Sequence, residues 1–228
     1  MALAVTGIGA VTALGATAEE TWTRLLAGER GFRQLSIFED EGYRTRLVAE
    51  VPDVAPAAGP EHSRTSELAL RAAAEAMSLA ALPPGIRVGL VVGGTTAGML
   101  ETESLLAVLL RPEGAVDPEA RKEALARMLS HPLTAPTDRL ARALGPFARV
   151  RSVSSACSGG ANAVAIGATW LELGLVDAVV CGAADALCRV TLSGFSALGA
   201  LDPEGARPFD RRRRALTLGE GAGFLVLE

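Results

Sequence analysis

Val153-Ser154-Ser155-Ala156-Cys157-Ser158-Gly159-Gly160 decides the reading of this chain. A β-branched stretch, Val150 to Val153, enters it, and a long apolar, alanine-rich stretch, Ala161 to Leu173, leaves it. That order predicts strand, sharp turn, cysteine and helix. A thiol at the first turn of a helix sits in the positive field of the backbone N–H groups, which favours its anion. Free cysteines are also ordinary core residues. Here the flanks are serine, alanine and glycine, too small to bury a sulfur, and they leave room for a carbonyl to approach. Cys181 ends an apolar stretch, and with Cys188 it is the better core or loop candidate.

Outward from that turn, short apolar runs alternate with helical stretches. Strands are expected at Ala2–Ile8, Arg46–Val51, Arg87–Val92, Ala148–Ser154, Asp177–Gly182 and Phe224–Leu227. Helices are expected at Ala18–Ala27 behind a Thr17 cap, at Ser66–Ala81 capped by Ser63 or Thr65, and at Leu100–Leu110, Pro118–Ser130 and Pro136–Leu144. Gly9–Gly15 is expected to be a loop, and Gly31–Glu61 a mixed, proline-bearing segment. Apolar strands alternating with helices predict an α/β fold with a largely parallel, helix-covered sheet.

Composition excludes several classes. With 49% hydrophobic and 21% charged residues in 228, the chain can bury a full core and is not a disordered one. A net charge of −4 gives no general pull toward nucleic acid, so the one basic cluster, Arg211–Arg214, is expected to be a solvated loop. Three cysteines cannot all pair within one chain, which points to a reducing cytoplasm. No Cys or His spacing suits a zinc site, so no metal is expected. Gly93–Gly98 and Gly219–Gly223 lack a phosphate-loop lysine and dinucleotide spacing, so they are expected to be tight turns, and no cofactor is expected. No apolar run reaches membrane-spanning length, and the glycine-broken start, Met1–Ala16, is not a signal peptide. His62 and His131 lie beside prolines or charges in apparent loops and are expected at the surface, without a context for a catalytic base. Lys122, within a charged helix, is expected to be exposed.

These residues, taken in order, resemble the N-terminal half of a β-ketoacyl synthase, the condensing enzyme of fatty acid and polyketide synthesis. Val5–Gly15 resembles the family's opening, and Trp22–Gly28 its first helix with the WxxLLxG pattern. Ser154–Gly160 resembles its nucleophile loop. Gly182-Ala183-Ala184-Asp185-Ala186 stands where members carry GG-x-EA. Gly194-Phe195, Arg207-Pro208-Phe209-Asp210 and Gly219–Glu228 follow at the expected places. Each motif is modest alone, but their joint order is specific.

The resemblance implies a thiolase-like fold, with residues 1–228 forming one βαβαβαββ half around a mostly parallel five-stranded sheet. It implies that Cys157 is the catalytic nucleophile, taking an acyl group from an acyl carrier protein thioester before decarboxylative condensation with a malonyl thioester. It places Phe195 at a substrate-binding position lining the acyl pocket, with a plain core phenylalanine as the alternative. Family members dimerise through the strand before the nucleophile. Their two histidines, their lysine and a glycine-rich oxyanion loop belong to a second half, expected from a ketosynthase-like partner chain or a C-terminal half. The alternative function is a non-catalytic, chain-length-factor-like subunit, against which the retained Cys157 counts. Two departures stand out: Arg214 and Ala215 replace the family's acidic residue and glycine, and the linker before Arg207 is short.

Overall fold

Five of the apolar runs assemble into one sheet in a computed structural model that describes residues 3–39, 42–54, 59, 62–112 and 116–228. The elements are β1 (Val5–Val11), α1 (Ala18–Leu26), β2 (Arg33–Gln34), β3 (Leu47–Val48), α2 (Arg64–Ala80), β4 (Val88–Gly93), α3 (Met99–Leu109), α4 (Pro118–Arg127), a 3₁₀ turn (Met128–Ser130), α5 (Ala135–Leu144), β5 (Arg149–Val153), α6 (Gly159–Glu172), β6 (Ala178–Asp185), α7 (Arg189–Ala197) and β7 (Gly221–Leu227). The sheet order is β1-β7-β6-β4-β5. β4 pairs parallel with β5 and β6, whereas β7 pairs antiparallel with β6 and β1. Four strands therefore run one way and β7 alone is reversed. β2 and β3 form a separate two-stranded sheet.

Helices cover both faces. α2 lies on one, with Leu68, Ala69, Ala72, Ala73 and Ala76 wholly buried against Val11, Leu90, Val180, Phe224 and Val226. Alanine on the helix and glycine on the strand allow this closeness: a Cβ on Gly9 would collide with the Ala72 carbonyl oxygen. α6 lies on the other face, packing Ala163 and Leu171 against Val91, Val179 and Cys181. A third cluster, Leu35, Phe38, Val48, Leu187, Leu192 and Leu201, fills the space beneath α7. Each fully buried valine, leucine or phenylalanine side chain contributes roughly 1.5–3 kcal/mol.

Several boundaries differ from the sequence expectation. β1 runs through Val11, so Gly9 is strand rather than loop; Ala2 lies outside the described residues. Gly221–Gly223 belongs to β7 rather than to a turn, its small residues facing β6 at close range. The expected strand Arg46–Val51 shrinks to Leu47–Val48, continued by a bridge from Ala49 to Gly219. The mixed segment Gly31–Glu61 is described only in part. Ser63, not Thr65, caps α2, accepting from the Ser66 N–H, while Thr65 is buried. α7 was not anticipated. Among the described residues no helix is long and apolar enough to cross a membrane.

Candidate active site

Cys157 is presented by the turn between β5 and α6. Ala156 adopts φ +50°, a left-handed conformation that costs a residue with a Cβ about 1–2 kcal/mol. The surrounding hydrogen bonds hold it there. The Ser158 N–H and hydroxyl donate to the Ser155 carbonyl at 3.3 and 2.8 Å, and the Gly159 N–H donates to the Ala156 carbonyl at 3.0 Å. From one turn into α6, the Asn162 amide donates to the Ser155 hydroxyl at 2.7 Å. The reversal leaves Cys157 exposed, directly before Ser158, the N-cap of α6. The thiol thus stands at the amino end of a fourteen-residue helix, where the backbone field is positive. Glycine makes the seat: a Cβ on Gly93 would stand 2.5 Å from the Gly159 backbone.

Cys157 opens into a cavity of about 510 Å³. Gly160, Ala183, Leu187, Thr191 and Phe195 share its lining, so the structure brings Cys157 and Phe195 to one site. Phe195 is half-buried there, packed against the third apolar cluster. Phe195 is therefore partly core and partly cavity wall. Cys181 and Cys188 are buried and lie away from this lining. Burial pushes the Cys181 thiol up to about 12 and also raises that of Cys188.

Carboxyl and hydroxyl groups to which sequence reasoning gave no such role brace the cavity wall. Asp185 Oδ1 accepts from the Thr95 and Thr96 N–H groups at 2.8 and 2.7 Å and from the Thr96 hydroxyl at 2.8 Å. The Ala186 N–H donates to Thr65 Oγ1 at 3.2 Å, and the Leu187 N–H to Glu220 at 3.1 Å. Glu103, from α3, accepts from the Arg189 and Val190 N–H groups at 2.7 and 2.6 Å and so caps α7. The backbone from Ala186 to Cys188 is irregular and buried, and α7 begins directly after it. Side-chain acceptors satisfy amides that no sheet or helix partner reaches. Glu220 is itself wholly buried in an ion pair with Arg64 at 2.6 Å. The available signal for Glu220 and Asp185 was an acidic residue set among glycines or alanines at the edge of a buried strand.

The histidines correct the surface expectation. Both are half-buried, His62 at 3.6 Å from Glu67 and His131 at 2.9 Å from the Thr102 hydroxyl. Neither lines the Cys157 cavity. Lys122 is exposed in α4. Arg211–Arg214 are exposed, and Arg214 reaches Asp202 at 3.2 Å and Glu204 at 2.7 Å, which ties the short linker to the loop where the family pattern departs.

Known proteins are similar to this chain in sequence and fold. Residues 2–228 match the family described as the beta-ketoacyl synthase N-terminal domain. The tetracenomycin polyketide synthase ketoacyl synthase alpha subunit of Streptomyces glaucescens is 32% identical, over 98% of this chain and 57% of its own length. The solved structure titled "The ishigamide ketosynthase/chain length factor" superposes with a TM-score of 0.86 at 35% identity, covering 99% of this chain and 58% of that one. A beta-ketoacyl synthase from Burkholderia phymatum STM815 superposes at 0.81 with 26% identity, over 99% and 58%. The chain thus spans somewhat over half the length of the proteins it matches.

Proposed function

The chain belongs to the β-ketoacyl synthase family, through that family's N-terminal domain, and from this premise we propose that it is the acyl-accepting part of a ketosynthase acting in polyketide or fatty acid synthesis. The observation that carries this reading is the exposed Cys157 sulfur at the amino end of α6, opening on a cavity with Phe195 in its wall. The Cys157 thiolate attacks the carbonyl carbon of an acyl thioester. The new sulfur–acyl bond forms as the donor's carbon–sulfur bond breaks, and the proton lost by Cys157 ends on the departing donor thiol. The acyl chain then lies along Ala183, Leu187 and Phe195.

Condensation with a malonyl thioester needs groups that line no part of this cavity. Neither histidine among the described residues reaches it. The histidines, the lysine and one oxyanion donor are supplied by a second half or partner chain. Loss of a single oxyanion donor lowers rate by roughly 10²–10³. β5, the strand before Cys157, is one of the two edge strands of the sheet and offers the pairing site for a dimer partner. The retained, exposed Cys157 favours this reading over a non-catalytic chain-length-factor-like subunit.

Intact mass spectrometry after incubation with an acyl carrier protein thioester tests it. The expected result is one acyl adduct, mapped to Cys157 and absent in C157A. No adduct on Cys157, with a complete ketosynthase partner present, would refute it.

A further inference from the structure

We infer that Asp185 is a positioning residue that sets the bore of the Cys157 cavity, and with it the length of acyl group the thiol accepts; this rests on the acyl-accepting reading above. Two segments form much of the cavity wall: Gly94, Thr95 and Thr96, on the way from β4 to α3, and Asp185, Ala186 and Leu187, on the way from β6 to α7. The ladder between β4 and β6 ends at Gly93 and Ala183, so it does not hold these segments together. Asp185 takes over where the ladder stops. Its Oδ1 alone accepts from two amides and one hydroxyl of Thr95 and Thr96, at 2.7 to 2.8 Å. Two further ties come from other elements. Thr65, wholly buried in α2, donates to the Ala97 carbonyl and accepts from the Ala186 N–H. Glu103 of α3 accepts from the first amides of α7. Of these three tying side chains, Asp185 is the one that itself lines the cavity.

The loop from β4 needs this hold. Ala97 sits at φ +43°, a left-handed conformation unfavourable to a residue with a Cβ. Such a shape persists only where its surroundings over-determine it. Toward β6 the loop has no slack: a Cβ on Gly94 would stand 3.1 Å from the Ala184 carbonyl oxygen. Without the Asp185 carboxylate, two amides and a hydroxyl lose their acceptor, and the loop moves away from β6 to reach water. The wall that Thr95 and Thr96 form then yields. An apolar cavity tells chain lengths apart only while its wall does not give, because each misfitting methylene is then felt. Ala183, Leu187 and Phe195 supply the apolar contact, and Asp185 fixes the space in which they supply it.

Modification of Cys157 in the full chain is followed with S-alkyl methanethiosulfonates from methyl to octyl, each rate divided by that with a free thiol in solution. These reagents need only a reachable thiolate: its sulfur bonds to the alkylthio group and methanesulfinate leaves. The readout is the ratio of rates between the best- and worst-accepted chain lengths. In D185A it is expected to fall by roughly 10-fold or more, and in D185N, which keeps an acceptor oxygen in place, to be held. T96V keeps the shape of the wall and both amide bonds and loses the hydroxyl bond alone, so its ratio is expected between those two. A lower melting temperature with an unchanged ratio in D185A is what a merely structural role gives, and it overturns the inference. Where D185A does not fold, an unchanged ratio in T96V overturns it, and so does a wild type without length preference. The same chain lengths offered as acyl-coenzyme A separate the two readings. Length-selective modification without any acylation refutes the acyl-accepting reading and leaves Asp185 as the residue that sets access to the thiol. Acylation whose length preference survives D185A refutes the positioning role alone.

Discussion

Among single residues, the three cysteines differ by environment alone. Cys157 stands in solvent at a helix end, while Cys181 and Cys188 are sealed and their thiols held protonated by burial. Iodoacetamide in mildly alkaline native buffer is therefore expected to add one group, at Cys157, and three after denaturation. Peptide mapping checks this, and a native adduct at Cys181 would contradict the packing. The exposed turn that carries Cys157 was legible because small residues flank it. Asn162 was not, since its bond to Ser155 depends on a turn whose sharpness lies in one left-handed alanine. Nor was Glu103, which meets its amide partners 86 and 87 residues away.

At the level of elements, β-branched apolar runs identified the strands well, while glycine misled. Gly9 was assigned to a loop because glycine commonly breaks strands; here it lets α2 press onto β1. α7 escaped notice because Arg189-Val190-Thr191-Leu192-Ser193-Gly194 carries β-branched residues and a glycine, all poor helix formers. Its cap from Glu103 and the burial of Leu192 override that propensity. Ends of elements are also clamped. Arg87, just before β4, holds Asp177, just before β6, at 2.6 Å. Arg87, chiefly by hydrogen bonding, lowers the Asp177 carboxyl from 3.8 to about 2. A depressed folded value gives stability that is present above the ordinary value and lost as pH falls through the folded one. Thermal melts of R87L are expected to lie below wild type near neutral pH, with the gap closing as pH falls from about 4 toward 2. A gap that persists in acid would assign the loss to packing instead.

On the scale of the whole molecule, one buried pair connects distant parts. Glu220 accepts from Val51 after β3, from Leu187 in the cavity wall, and from Arg64 at the start of α2. Removing one partner strands the other charge without solvent. E220A is expected to cost about 3–5 kcal/mol in chemical denaturation. A loss under 1 kcal/mol, about the worth of an exposed pair, would contradict its burial.

The bare margin of the sheet has its own consequence. β5 exposes Arg149 and Arg151 on either side of Val150, and among the described residues no strand lies beyond them. Unpaired strand edges are templates for fibril growth, and cationic side chains are a common defence. A neighbour that brings its own positive charge is repelled there, while a strand with acidic or neutral residues in register is admitted. The guanidinium groups on this rim are therefore expected to bias which strand completes the sheet as well as to keep the edge from fibril growth.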